Sequence, residues 1–204
     1  MHDEESTTGT PRWFTETGPD HSNWYIDRFR TMAAEGADLT GEARLVDALV
    51  APGSRVLDAG CGPGRLGGEL HRRGHHVVGV DVDPALIAAA EEDHPGPRWI
   101  VGDLSSFDLV DEEPFDLAVL AGNVLLFVAP DTEADVLERV AAHVVPGGRI
   151  VTGFRTTGSY ELERFDADIE RLGLRIEHRL GTWDLVPLGA DDDFAVTILR
   201  TPTG

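Results

Sequence analysis

The stretch Val56-Leu57-Asp58-Ala59-Gly60-Cys61-Gly62-Pro63-Gly64 decides the fold. It begins as a short apolar strand, Ser54–Asp58, and breaks at once into glycines at 60, 62 and 64. Glycine there lets the chain turn tightly and lets a ligand lie against backbone with no Cβ between them. A helix is predicted from Arg65 to Arg73, stopped by Gly74, and its first free N–H groups point back toward the turn. Strand, glycine turn and helix together open an α/β unit whose ligand site lies beyond the carboxyl end of the strand.

Downstream the alternation continues. His76–Asp81 is a buried-strand pattern, and a helix from Pro84 to about Asp93 carries proline in its first turn. Arg98–Gly102, Phe115–Ala121 and Arg149–Phe154 are further strands, with a helix over Thr132–Val144. Glu161–Leu172 sets Leu162, Phe165, Ile169 and Leu172 on one helical face before Gly173. Leu174–Leu180 and Phe194–Leu199 close the chain as two strands joined by a loop rather than a helix, which predicts an antiparallel pair. Apolar strands alternating with helices predict a mostly parallel, doubly wound sheet covered on both faces. Upstream, Ser22–Glu35 spaces Tyr25, Phe29 and Met32 as a helix, and Thr40–Val50 makes a second one. The predicted organisation is a flexible tail over residues 1–20, a helical cap over 21–52 and one domain over 53–204.

Composition narrows the partners. The chain has 204 residues, with 17 basic against 37 acidic and a net charge of −20; every basic residue is arginine. Such a surface repels nucleic acid and anionic membrane, and its acidity reads first as solubility. The lone Cys61 excludes an internal disulfide and a cysteine-rich zinc site, and no metal is expected. Met1–Thr10 has no apolar signal region and Leu117–Val128 is too short to span a bilayer, so a cytoplasmic protein is expected.

The glycine turn admits two cofactors. Gly62-Pro63-Gly64-Arg65-Leu66-Gly67 fits the dinucleotide pattern G-x-G-x-x-G, with Asp81 about 20 residues on. Three details oppose that reading. The pattern starts several residues past the strand end, Pro63 lacks an N–H where a pyrophosphate wants donors, and Asp58 would repel that pyrophosphate. Asp58 suits instead a ligand with an ammonium group and a sulfonium.

Asp58-x-Gly60-x-Gly62-x-Gly64 resembles the first motif of class I S-adenosylmethionine-dependent methyltransferases. Asp81 resembles their ribose-binding acid, and Val101-Gly102-Asp103-Leu104 the segment whose acid meets the adenine amine. Phe115–Leu120 resembles their fourth strand and Val145–Ile150 the turn entering the fifth. The resemblance implies a single-domain, Rossmann-like sheet of seven strands in the order 3-2-1-4-5-7-6, the last antiparallel, with S-adenosyl-L-methionine as cofactor. It also implies a site. Asp58 would orient the methionine ammonium, and Gly60, Cys61, Gly62 and Gly64 would give the turn its open backbone. Asp81 would take the ribose hydroxyls, Val82 would pack on adenine, and Asp103 and Leu104 would bond the adenine edge. Ala121 and Asn123 would lie near the methionine part. From the N-terminal helix Tyr25 would stack or hydrogen-bond, and Arg30, or equally Arg28, would pair with the cofactor carboxylate. Competing readings stay open: Asp81 as a loop acid, Asp103 as a turn cap, and Tyr25 with Phe29 as a plain buried stripe.

The acceptor half is less readable, and no catalytic residue is assigned. Cys61 reads as a space-filler rather than a nucleophile. After the fourth strand the chain lacks the Asn/Asp-Pro-Pro-aromatic signature of adenine or glutamine enzymes and the Pro-Cys of cytosine C5 enzymes. His21, His143 and His178 read as structural or solvated. Phe154 and Arg155 are expected to face the acceptor, and the loop Trp183–Asp193 to roof it. A small-molecule methyl acceptor follows, with an NAD-dependent oxidoreductase or a nucleoside-binding module without transfer activity as alternatives.

Overall fold

A computed structural model describes residues 9–203. Seven strands form one sheet: β1 (Arg55–Ala59), β2 (His76–Asp81), β3 (Arg98–Val101), β4 (Phe115–Leu120), β5 (Val144–Arg155), β6 (Arg175–Leu180) and β7 (Phe194–Arg200). Their order is β3-β2-β1-β4-β5-β7-β6, as the sequence implies. The first five strands are parallel, and β7 inserts antiparallel to both β5 and β6.

The helices are α1 (Arg12–Thr15), α2 (His21–Ala34), α3 (Gly41–Leu49), α4 (Arg65–Arg72), α5 (Pro84–Asp93), α6 (Val124–Phe127), α7 (Glu133–Ala142) and α8 (Leu162–Arg171). The period-2 rule sorts the strand side chains into two cores. Leu57, Ala118, Leu120 and Ile150 pack beneath α7 and α8, while Val56, Leu117, Val119 and Val151 pack beneath α3 and α4. No helix among the described residues is long and apolar enough to cross a membrane.

Three elements depart from the sequence reading, one of them the short α6, which no sequence pattern announces. The stretch expected as a loose tail carries α1, and only residues 1–8 of it lie outside the described part. Arg12 is buried there; its Nη1 sits 2.9 Å from Oε1 of the fully buried Glu133, and it also donates to the Val128 carbonyl. Polar composition hid this because each partner lies more than a hundred residues away. The third departure is β5, which begins at Val144 rather than Arg149; a register shift opposite Phe115 and Leu117 absorbs Pro146-Gly147-Gly148.

Trp99 of β3 explains several glycines. A Cβ on Gly79 would stand 2.3 Å from its ring, one on Gly67 2.8 Å, and one on Gly64 3.0 Å. The indole's six-membered ring therefore packs against Gly64 of the turn, Gly67 of α4 and Gly79 of β2, in one cluster with Cys61, Ile87 and Ala90. Its Nε1 donates to the His94 carbonyl at 3.0 Å.

Candidate functional site

The cleft opens at the carboxyl ends of β1, β2 and β4, where a doubly wound sheet places its ligand. It comprises two adjoining cavities, one larger than the other, that share Tyr25, Gly60, Gly62, Ala121 and Gly122. The larger is walled by Asp81, Val82, Leu86, Asp103, Leu104 and Phe127, with Trp13 and Pro11 from the N-terminal arm. The smaller is walled by Asp58, Cys61, Pro63, Arg65, Leu66 and Phe29.

Backbone geometry builds the floor. Gly60 has φ +80°, and a Cβ on it would meet Val124 at 2.4 Å, so any side chain would close the cleft. The Gly60 and Cys61 N–H groups donate to the Val80 carbonyl at 2.8 and 3.1 Å, fastening the turn to β2. Gly62 N–H then donates to Asp81 Oδ2 at 2.9 Å, and Asp83 N–H to Asp81 Oδ1 at 3.0 Å. The Asp81 carboxylate is thus held by one bond on each oxygen, and each oxygen keeps acceptor capacity toward the cavity.

Burial sets the electrostatics. Asp58 is 1% exposed and accepts a bond from Gly67 N–H at 2.9 Å; burial pushes its carboxyl up to about 7. Burial likewise raises Asp81 to about 6, against the opposing pull of its backbone bonds. Two buried carboxyls on neighbouring strands, one in each of the adjoining cavities, favour a ligand that brings donors or positive charge to both.

The remaining expected residues divide. Val82, Leu104, Ala121 and Tyr25 line the larger cavity. Cys61 lines the smaller one, but its thiol packs against Trp99 and Ala90, and burial drives its pKa up, as befits a space-filler. Asp103 lines the cavity and is also a turn cap: its Oδ1 accepts from Ser105 N–H at 2.8 Å and Ser105 Oγ at 2.7 Å. Oδ2 takes no hydrogen bond among the described residues.

Gly64, Asn123 and Arg30 are not among the residues that wall the two cavities. Gly64 lines neither cavity; at φ +82° it makes room for Trp99 and Ala90. Asn123, at φ +67°, turns its Oδ1 to the Arg155 N–H at 2.8 Å and its own N–H to the Gly153 carbonyl, pinning the β4–α6 turn to β5. Its neighbours Gly122 and Val124 line the cleft instead. Arg30 points outward, with Nε 2.8 Å from Asp93 and Nη2 3.0 Å from Glu92. Five helical positions separate it from Tyr25, about 140° around the axis, so the two cannot share a face.

Arg28 rests over the Trp24 ring at 5.4 Å, also away from the cleft. The cation that lines the cleft is Arg65, bonded twice to Glu42 at 3.0 and 2.7 Å and stacked over Phe29. As the first residue after the glycine turn it reads as a helix start, which conceals its reach. Trp13 and Phe127 were also missed, the first in the expected tail and the second in a helix of four residues.

Phe154 lies outside both cavities as well. It is 1% exposed and stacks on Tyr160 and Phe165 in the core, not toward an acceptor. Trp183, at the start of the loop expected to roof the acceptor, is half-buried and packs over Gly153 against the core cluster that includes α3. His143 is structural: its Nδ1 lies 2.8 Å from the Arg139 carbonyl, its Nε2 accepts from Leu109 N–H, and its ring stacks on Phe107.

Fold and cleft define a doubly wound α/β protein with a site shaped for a nucleoside-bearing cofactor. A family profile described as a methyltransferase domain matches residues 56–148. The crystal structure of a TehB-like SAM-dependent methyltransferase from Corynebacterium glutamicum is 44% identical, covers 91% of this chain and all of that one, and superposes with a TM-score of 0.83. The chain is 35% identical over 132 residues to the magnesium-protoporphyrin O-methyltransferase of Rhodobacter capsulatus, covering 61% of this chain and 55% of that protein. It is 38% identical over 111 residues to the ribosomal protein L11 methyltransferase of Symbiobacterium thermophilum, covering 53% of this chain and 34% of that protein. The chain thus spans between a third and just over half of these curated relatives.

This chain belongs to the S-adenosylmethionine-dependent methyltransferases. The dinucleotide reading loses its basis, because Gly64 and Gly67 of that pattern serve Trp99 rather than a ligand.

Proposed function

We propose that this protein transfers the methyl group of S-adenosylmethionine to a small-molecule acceptor by in-line displacement. The observation that carries this reading is the pair of buried carboxylates, Asp81 in the larger and Asp58 in the smaller of two adjoining, glycine-floored cavities. Asp81 would accept from the ribose hydroxyls, and Asp103 Oδ2 from the adenine amine, with Val82, Leu86 and Leu104 against the ring. Asp58 would orient the ammonium group, and Arg65 is the cation placed for the carboxylate. When bound, the cofactor supplies an electrophilic methyl group on a good leaving group. The chain's own work is to align the acceptor and exclude water. Trp13, Tyr25 and Phe29 serve the second task, packed edge to face at 5.6 and 4.9 Å as an aromatic wall along the cleft. The charge of −20 speaks against a polyanionic acceptor.

The test is transfer of an isotope-labelled methyl group from S-adenosylmethionine to a panel of small thiols, amines, phenols and carboxylic acids, read by mass spectrometry. Acceptor-dependent release of S-adenosylhomocysteine is expected. Binding of S-adenosylhomocysteine without turnover on any acceptor would favour a nucleoside-binding module, and thermal stabilisation by NAD(H) alone would overturn the cofactor.

A pH dependence follows from Asp58. Its pairing with the ammonium requires a carboxylate, and a group titrating near 7 is mostly protonated at pH 6. S-adenosylhomocysteine is therefore expected to bind about tenfold more weakly at pH 6 than at pH 8, with protons released on binding. The ligand-free protein runs the other way: its raised carboxyls hold protons that the unfolded chain gives up, so their stabilising contribution falls as pH rises from about 4 to 7. Calorimetry in buffers of different ionisation enthalpy checks the first point, and Asp58→Asn is expected to flatten the profile.

A further inference from the structure

We infer that Asp83 is a positioning residue that latches the N-terminal arm, residues 11–22, over the nucleoside end of the cleft and so sets how long the cofactor stays bound. The inference rests on the cofactor reading above and adds to it a residue that touches no ligand.

Asp83 is 4% exposed, and its carboxylate is shared between two structures. Oδ1 caps α5 by accepting from Ala85 N–H at 2.8 Å. Oδ2 accepts from Trp13 Nε1 at 2.8 Å and from the Ser22 hydroxyl, one donor on α1 and the other in the first turn of α2. The backbone N–H of the same residue holds Asp81 Oδ1 at 3.0 Å. One residue therefore joins the arm, the start of α5 and the acid at the ribose end.

Trp13 is what the latch holds in place. Its ring lines the larger cavity and meets Tyr25 and Phe127 edge to face, both at 5.6 Å. A ligand at the nucleoside end lies beneath it, so release requires the arm to lift and the Asp83 bonds to break. A second anchor, Arg12 on Glu133 and the Val128 carbonyl, holds the adjoining residue to the far wall. With Arg12 tethered to the α6–α7 segment, Asp83 is the fastening on the α5 side.

Two variants loosen the latch, one from each side of the bond; Asp83 lines neither cavity, and Trp13 is changed only to another aromatic ring. Trp13→Phe keeps an aromatic ring and removes the indole N–H. Asp83→Asn keeps the backbone N–H to Asp81, but it removes the charge and leaves one acceptor oxygen for three donors, the Ala85 N–H of the cap and the Trp13 and Ser22 groups of the arm. Stopped-flow displacement of S-adenosylhomocysteine is expected to show dissociation about tenfold faster in each, the factor carried by one charge-assisted hydrogen bond, with association not slowed. The double variant is expected to dissociate no faster than the faster single one, since both break the same bond. In the ligand-free protein, hydrogen exchange is expected to lose protection over residues 11–22 but not over β1 and β2.

Dissociation within twofold of wild type in both variants, or an arm exchanging as in wild type, would overturn the latch. So would association slowed as much as dissociation is quickened, which marks a damaged pocket. Failure of the wild-type protein to bind S-adenosylhomocysteine at all would instead overturn the cofactor reading, and the latch with it.

Discussion

Replacing Asp81 with alanine is expected to weaken S-adenosylhomocysteine binding by about 1–3 kcal/mol, or roughly five- to 150-fold. The loss has two sources. The ribose end loses its acceptor, and the N–H groups of Gly62 and Asp83 lose the carboxylate that aligns them. Asp81→Asn separates the two sources, because the amide keeps one acceptor oxygen and offers a donor in place of the other. An intermediate affinity is expected for it. Calorimetric titration of both variants, with circular dichroism to confirm that each is folded, makes the measurement. An affinity unchanged in Asp81→Ala would remove this residue from the site.

Replacing Trp99 with alanine is expected to destabilise the protein by about 3–5 kcal/mol, the range for large aromatic truncations in a core. For a chain of this size the melting temperature falls by roughly 2–4 °C per kcal/mol, so a drop of about 6–20 °C is expected. The effect should exceed that of an ordinary core aromatic in one respect. The indole lies against Gly64, Gly67 and Gly79, which have no side chains to collapse into the space it leaves. The turn above it carries Gly60 and Gly62, so cofactor affinity should fall along with stability. Urea unfolding of Trp99→Ala and Trp99→Phe, with calorimetry on the folded fraction, checks both points; a loss below about 1 kcal/mol would contradict the packing described.

The sheet was legible because its inner strands, β2, β1, β4, β5 and β7, are largely buried on both faces and therefore read as runs of apolar residues between turn signals, while the exposed edge strand β6 shows only alternation. Asp58 and Asp81 stood out as carboxylates closing apolar strands, and Asp103 through the resemblance of its segment to the family's; all three line the cleft. Gly64 and Arg30 were misread through spacing. A glycine every second residue looks uniform in sequence, yet Gly60 and Gly62 open toward the cleft and Gly64 toward Trp99. Arg30 lies on the right helix but on its outer face, where Glu92 and Asp93 of α5 claim it. The arm was illegible because its order comes from single long-range bonds, Arg12 to Glu133 and Trp13 to Asp83, which leave no periodic trace. Position 65 escaped notice because only the folded turn carries a helix's first residue to the Asp58 side of the cleft.

The buried Glu133 gives that arm a further significance. It is fully enclosed, and its two oxygens are met by Arg12 from α1 and Arg164 from α8. A shortened form begun at residue 21, where composition alone would suggest trimming, discards one of the two cations and opens the carboxylate's pocket on that side. An anion sealed from water with half its compensation gone is among the more damaging defects a fold can carry. The first helix, four residues long, is thus as much a counter-ion as a cover, and a fusion or truncation at this end of the chain reaches the charge balance between α7 and α8.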